Sequence, residues 1–221
     1  MIISVHMPKS AGTSFMKSLE EVYGDHLLKD YDTPLRKAAY ERNLSALRGS
    51  MEIADKGLPG IECVHGHFLP VKYLLYKERN PVRFITWLRD PVDRMISHYY
   101  YWKERYKPGI SDLFIDKDAT LEEFCLHPHF QNLYSQFLWA FPLENFEFIG
   151  ITEHYDDDFS YFSQKYLSKT LPAKKMNVRR SENRDISKYS IDSELLAKIE
   201  AFHSKDIELY QRALAKREER V

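Results

Sequence analysis

Short apolar runs of strand length alternate along the chain with longer stretches of helical periodicity. Ile2-Ile3-Ser4-Val5 reads as a buried strand, and Phe15, Met16, Leu19, Val22 and Tyr23 follow it at helical spacing. A second strand is predicted at Ile61-Glu62-Cys63-Val64, and the clearest one at Arg83-Phe84-Ile85-Thr86-Trp87-Leu88. Asp90-Pro91 comes next, an N-cap with proline at the first helical position, so a helix is expected from there to about Tyr106. Further helices are predicted near 120–126, 130–140, 155–168 and 192–217, with a strand at Phe146-Glu147-Phe148-Ile149-Gly150-Ile151. Between 25 and 60 the pattern is mixed and charged. Leu35, Leu44 and Leu47 hint at a helix there, and Gly57-Leu58-Pro59-Gly60 marks a turn. Strands separated by helices imply parallel pairing and a layered α/β fold.

Composition narrows the class. At 221 residues the chain fits one domain, 1–221, with no internal repeat or low-complexity linker. Hydrophobic residues make up 43% and charged residues 29%, which excludes wholesale disorder. A net charge of −1 lacks the basic excess of a protein that lives on nucleic-acid phosphates. Two cysteines, Cys63 and Cys125, cannot build a disulfide framework and suit a reducing compartment. No apolar run approaches the ~18 residues of a membrane span. The first apolar stretch, Ile2 to Val5, is followed at once by His6 and Lys9, unlike a signal peptide. The expectation is a cytoplasmic protein, or a soluble domain of a membrane-anchored parent.

Three segments carry candidate chemistry. His6-Met7-Pro8-Lys9-Ser10-Ala11-Gly12-Thr13-Ser14-Phe15 lies where the first strand ends and the first helix begins. Free backbone N–H groups and the positive end of a helix dipole make such a loop an anion site, and small residues at 10–14 allow close approach. An ordinary capped helix start with an exposed lysine fits the same residues. The loop is not a Walker A motif, because Lys9 precedes the only glycine. Arg89-Asp90-Pro91-Val92-Asp93-Arg94-Met95-Ile96-Ser97 starts at the carboxyl end of a strand, where α/β proteins bind ligands. Arg89 and Ser97 could meet one phosphate, or Arg89 could form a structural pair with an aspartate while Ser97 faces solvent. In Val64-His65-Gly66-His67-Phe68 the two histidines sit at i and i+2, on one side of an extended chain. A catalytic base, a pair of polar loop histidines and a His-x-His metal site are all compatible with that spacing.

Taken together the segments resemble the PAPS-dependent sulfotransferases, specifically the Golgi-type carbohydrate family and its bacterial relatives. Pro8-Lys9-Ser10-Ala11-Gly12-Thr13-Ser14-Phe15 is similar to that family's 5′-phosphosulfate loop. Arg89-Asp90-Pro91 with Arg94 and Ser97 is similar to its 3′-phosphate motif, and His65-Gly66-His67 to the His-Gly-His of the uronyl 2-O branch. The resemblance implies a P-loop, nucleotide-kinase-like three-layer fold with a central parallel sheet. It implies 3′-phosphoadenosine-5′-phosphosulfate (PAPS) as donor, a hydroxyl acceptor on a glycan, and no metal. Lys9 and the amides of Ser10, Ala11, Gly12, Thr13 and Ser14 would hold the 5′-phosphosulfate. Arg89 and Ser97 would hold the 3′-phosphate. His67 would act as base, supported by His65, with Lys9 stabilising the leaving oxygen. The motifs are specific to about Ser97 and loose beyond it, through Asn132-Leu133, Ile149 to Glu153 and Asn177-Val178-Arg179.

A P-loop-type kinase or NTPase shares the expected fold and anion loop, and a catalytically silent nucleotide-binding protein shares the motifs. Two further features stand out. Lys174, Lys175, Arg179, Arg180 and Arg184 form a basic stretch within the loop-like region Leu171 to Lys188, either a lid over phosphates or a solvated loop. His98-Tyr99-Tyr100-Tyr101-Trp102 is an aromatic run expected to be core in part and available to stack on a sugar in part.

Overall fold

The computed structural model describes residues 1–31, 38–106, 115–167 and 191–220. Five strands form one all-parallel sheet: β1 (Ile2–Val5), β2 (Leu27–Lys29), β3 (Cys63–Gly66), β4 (Arg83–Leu88) and β5 (Phe146–Ile151), in the order β2-β3-β1-β4-β5. The helices between them are α1 (Gly12–Tyr23), α2 (Ala39–Lys56), α3 (Leu74–Lys77), α4 (Pro91–Glu104), α5 (Leu121–Cys125) and α6 (Leu133–Phe137). After β5 come α7 (Tyr155–Tyr166), α8 (Ser193–Phe202) and α9 (Ser204–Glu218). The layered α/β expectation and the parallel pairing hold. None of these helices is long and apolar enough to cross a membrane.

The two faces of the sheet bury different side chains because successive strand residues point to opposite sides. Ile3, Val5, Val64 and Phe84 pack with Leu133, Tyr134 and Phe137 of α6 and with Tyr210 and Ala213 of α9. Ile2, Cys63, Ile85 and Phe148 pack on the other face with Phe15 and Leu19 of α1 and Phe159 and Phe162 of α7. A third cluster joins Val92, Met95 and Ile96 of α4 to Phe124 of α5 and Ile199 of α8. Most of the aromatic run on α4 belongs to it: Tyr99, Tyr100 and Trp102 pack on this cluster, while Tyr101 is exposed.

Several boundaries differ from the sequence expectation. The second strand occupies Cys63–Gly66 rather than 61–64, so His65 lies inside the sheet. It pairs with β1 from Ile2↔Cys63 to Val5↔Gly66, and all eight residues of the two strands are buried. The three-residue strand β2 was not anticipated. The helix expected near 130–140 is reduced to the five-residue α6, with a 3₁₀ turn at Pro128–Phe130 before it. The final helix is broken into α8 and α9 at His203, whose Nε2 lies 2.8 Å from the Cys125 carbonyl oxygen. The turn at 57–60 is present, with φ of 69° at Gly57 and 75° at Gly60. The basic stretch Lys174 to Arg184 lies outside the described residues.

At Gly66 a Cβ would fall 1.6 Å from the backbone oxygen of Asp30, which cannot swing away as a side chain could. Gly66→Ala is therefore expected to force β2 from β3 and to destabilise the fold by at least ~1–3 kcal/mol, the usual penalty of overpacking. A urea midpoint equal to that of the parent would show that the strand edge yields freely.

Candidate active site

β3, β1 and β4 are neighbours, and all three of the segments singled out above leave from their carboxyl ends. Val5 of β1 is level with Gly66 of β3 and Thr86 of β4. The connection after β1 leads towards β2 and that after β4 leads the other way to β5, so the chain diverges between β1 and β4. Such a divergence opens a crevice at the carboxyl edge of a parallel sheet.

The 9–14 loop occupies one side of that crevice. Two non-glycine residues, Lys9 (φ 68°) and Ala11 (φ 56°), adopt left-handed backbone. Each such residue costs of order 1–3 kcal/mol and persists only where its surroundings over-determine it. Turns of this kind aim successive N–H groups at one point and make anion-binding concavities. α1 starts with no side-chain cap and no acid in its first turn, whereas α4 is capped by the Asp90 carboxylate, which accepts from Asp93 N at 2.9 Å. The first amides of α1 are thus the ones that lack the usual side-chain acceptor. The Lys9 ammonium rests 3.9 Å from the centre of the Tyr101 ring, a cation–π contact that brings α4 against the loop. Ser10 is fully buried, and Thr13 and Ser14 lie in the first turn of α1.

Arg89 follows β4 on the other side. Its guanidinium lies 3.4 Å from Asp93 and 4.0 Å from Glu153, so the structural ion pair allowed by the sequence is present. Glu153 also accepts from Asp90 N at 3.0 Å and from the Tyr210 hydroxyl at 3.0 Å, which pins the turn after β4 to α9. Ser97 stands on α4 about 9 Å along the axis from Pro91, at 1.5 Å per residue.

Tyr134 joins the two sides. Its hydroxyl lies 3.1 Å from Ser10 Oγ, accepts from Arg89 N at 3.0 Å and donates to Arg89 O at 2.8 Å. Behind it, Asp206 accepts from the Tyr134 and Ser135 amides at 2.9 and 3.0 Å. The guanidinium of Arg94 packs 5.2 Å from the Tyr134 ring centre. Arg94 is fully buried, and its Nε and Nη1 have no hydrogen-bond partner. Nothing in the local sequence signals the role of Tyr134, because its partners are 45 and 124 residues away.

The histidines form the third wall. His6 lies between the other two: its ring stacks on His65 at 5.1 Å and on His67 at 4.2 Å. A Cβ on Gly12 would fall 1.8 Å from His6 Nε2, so the ring occupies the space that the glycine leaves open. Nδ1 of His67 lies 2.6 Å from the His6 backbone oxygen. A carbonyl only accepts, so Nδ1 carries the proton and the neutral ring keeps its lone pair on Nε2. His65 is buried within the sheet with Nδ1 2.8 Å from Ser4 Oγ. It reaches His67 only through the intervening His6 ring. Tyr31 closes the group, its ring edge-on to His67 at 5.0 Å and its hydroxyl 3.3 Å from His6 Nδ1. His6 opens the loop segment singled out in the sequence but was not a candidate there, because its place between two rings depends on the β1–β3 register.

Burial sets the ionisation of this wall. It lowers His67 below the ordinary histidine value, opposed by the bond to the His6 carbonyl. Burial, then the charges of His67, His65 and Lys9, hold His6 well below that value. Burial followed by His67 pushes His65 down to about 3. All three rings are therefore neutral at pH 7. Among the described residues no group of three or more His, Cys, Asp or Glu could hold a metal ion. A cleft of about 330 Å³ lined by Arg42, Asn43, Gln136, Trp139 and Lys205 lies on the opposite face of α6 from Tyr134 and Phe137, and none of the expected site residues lines it.

No protein-family model matches the chain, and no curated protein matches it. Among solved structures it is similar to a sulfotransferase from Alicyclobacillus acidocaldarius, with 15% identity and a TM-score of 0.45 over 97% of this chain and 94% of that one. It is also similar to mouse sulfotransferase SULT7A1 complexed with PAP, with 14% identity and a TM-score of 0.39 over 90% of this chain. The match spans 62% of the mouse chain.

Two outcomes are expected from this geometry. Tyr134→Phe leaves the Arg89 amide and Ser10 hydroxyl without their partner and should destabilise by ~1–3 kcal/mol, measured by chemical denaturation. A loss below ~0.5 kcal/mol would mean that the hydroxyl does not brace the loops. Stability should also decline as pH falls from about 6.5 towards 3. Unfolding frees His65 to bind a proton that the native ring, with a pKa of about 3, refuses. Replacing His65 with Asn should flatten that part of the profile, and an unchanged acid slope would refute the assignment.

Proposed function

We propose that the chain is a sulfotransferase that moves a sulfuryl group from PAPS to an acceptor hydroxyl, with His67 as general base. One observation supports the reading: the Lys9–Ser14 loop, Arg89 and His67 each follow the carboxyl end of one of three adjacent strands, and the hydrogen bond of His67 is made through Nδ1. The motif resemblance assigns the same residues to the two ends of an adenosine bisphosphate donor. Lys9 and the amides of Ser10, Ala11, Gly12, Thr13 and Ser14 would bind the 5′-phosphosulfate. Arg89 and Ser97 would bind the 3′-phosphate, with Arg89 exchanging part of its contact with Asp93 and Glu153 for the ligand.

The donor supplies an activated sulfuryl group. The acceptor oxygen forms a bond to sulfur as the bond from sulfur to the 5′-phosphate oxygen breaks, and adenosine 3′,5′-bisphosphate leaves. By analogy with phosphoryl transfer the transition state is loose, so positioning and charge stabilisation supply most of the rate. His67 Nε2 takes the hydroxyl proton, a task worth ~10²–10⁴-fold. The Lys9 ammonium, held by Tyr101, stabilises the charge that grows on the leaving oxygen. His65 and His6 are positioning residues that keep the His67 ring neutral and oriented. We assign the acceptor to carbohydrates on the resemblance of His65-Gly66-His67 to the uronyl 2-O branch. A kinase is disfavoured because Lys9 precedes Gly12 instead of following a glycine-rich turn.

A thermal-shift panel tests the donor. Adenosine 3′,5′-bisphosphate should stabilise the chain, by ~2.7 kcal/mol at a hundredfold excess over Kd, while adenosine 5′-monophosphate and ATP–Mg²⁺ should do much less. Arg89→Ala should reduce bisphosphate affinity by ~1.5–3 kcal/mol. Equal binding of the mono- and bisphosphate would remove Arg89 and Ser97 from the donor site. For the base, kcat/KM should fall as pH drops through a pKa below 6.5, because only the neutral ring accepts a proton. His67→Ala should lose most turnover and keep its affinity for the bisphosphate. Full turnover in His67→Ala would overturn the base assignment.

A further inference from the structure

α2 is amphipathic in the reverse sense. Its buried face carries Arg42, Ala46 and Ser50, joined to the body by a bond from Arg42 Nη2 to Gln136 Oε1 at 2.5 Å and from Leu75 N to Ser50 Oγ at 3.3 Å. Its outer face carries Tyr40, Leu44, Leu47 and Met51, exposed by 71%, 45%, 43% and 66%. These residues step by four, three and four, the spacing of a helix–helix seam. Leu75, 46% exposed, belongs to α3, which packs beside α2. Five of the seven exposed large hydrophobic residues of the described chain thus lie on α2 or α3. Scattered apolar residues need no explanation, but a stripe in register along one helix marks an interaction surface.

We propose that this stripe pairs with the same stripe of a second copy of the chain, the two α2 helices antiparallel about a two-fold axis between Leu44 and Leu47. That axis sets Leu44 of one copy against Leu47 of the other and Tyr40 against Met51. The charges fit the same symmetry. Glu41 and Arg48 are exposed on one flank of the stripe, seven residues apart. In an antiparallel pair with this centre, Glu41 of each copy runs beside Arg48 of the other, giving two reciprocal pairs. Self-complementarity of this kind is what a two-fold interface requires. A membrane surface fits less well: the exposed residues beside the stripe include Glu41, Glu52 and Asp55, and interfacial helices are rich in Lys and Arg instead. α2 is 18 residues, about 27 Å, long, so the pair buries on the order of 1,000 Å² in total, at the low end for a specific interface. A reversible dimer with a Kd in the micromolar range follows.

Sedimentation equilibrium of the full chain from about 1 to 300 μM, a span that brackets such a Kd, tests this. The parent should pass from monomer to dimer, and the double variant Leu44→Glu with Leu47→Glu should stay monomeric with an unchanged far-ultraviolet CD spectrum. Arg48→Glu and Glu41→Arg should each raise Kd by tenfold or more. Combined in one chain they should restore it, because the swapped charges pair again across the axis. A monomer at every concentration overturns the proposal, as does a dimer indifferent to the leucine substitutions. A dimer that needs the leucines yet ignores every charge swap overturns the antiparallel pairing. Leucine-dependent capture by phosphatidylcholine–phosphatidylserine vesicles without a dimer assigns the stripe to a membrane instead.

Discussion

The site depends on one buried hydroxyl. Tyr134 bonds Ser10 on one side and both backbone groups of Arg89 on the other, and so sets the distance between two loops that the sheet only brings near each other. Parallel strands deliver chain ends to one edge but do not fix where the following loops sit. Asp206 provides the rest by accepting the Tyr134 and Ser135 amides, although burial raises its own pKa and makes its charge expensive. The positive charge of Arg94 offsets part of that expense. Arg94 itself is fully buried with two nitrogens lacking hydrogen-bond partners. Buried polar groups left in this state reduce stability.

Burial is the largest influence on all three rings of the histidine wall, and the cationic neighbours of His6 push in the same direction. His67 is lowered by burial, His6 and His65 more so, and no carboxylate is among the groups that shift His6 or His67. A carboxylate partner would raise a histidine and favour imidazolium. Here the rings stay neutral, and the single directional contact of His67, to the His6 carbonyl, leaves Nε2 as the acceptor. Gly12 connects this wall to the 9–14 loop, since any side chain there would displace His6.

What could be read from the sequence was local. Arg83–Leu88 followed by Asp90-Pro91 holds because an apolar run, a cap and a fixed proline φ act within ten residues of one another. The start of α1 within the 9–14 loop was legible for the same reason, whereas His65, expected at a strand end with His67, lies inside β3 with the His6 ring between them. What could not be read depended on distant partners. The seam between α8 and α9 comes from His203 meeting Cys125, 78 residues away. β2 is three residues long and owes its place to pairing with β3. α2 was only hinted at because its apolar residues Leu44 and Leu47 face outward while Arg42 and Ser50 face in, the opposite of the usual pattern. Tyr134 and the middle position of His6 required the folded structure.

The most direct test of the central claim is a crystal structure of the chain with adenosine 3′,5′-bisphosphate. The 5′-phosphate should lie on the amides of residues 10–14 beside Lys9, the 3′-phosphate within reach of Arg89 and Ser97, and the Tyr134 hydroxyl should still bridge the loops between them. A nucleotide bound elsewhere, or one bound with the 3′-phosphate in solvent and the Tyr134 bridge broken, would contradict it.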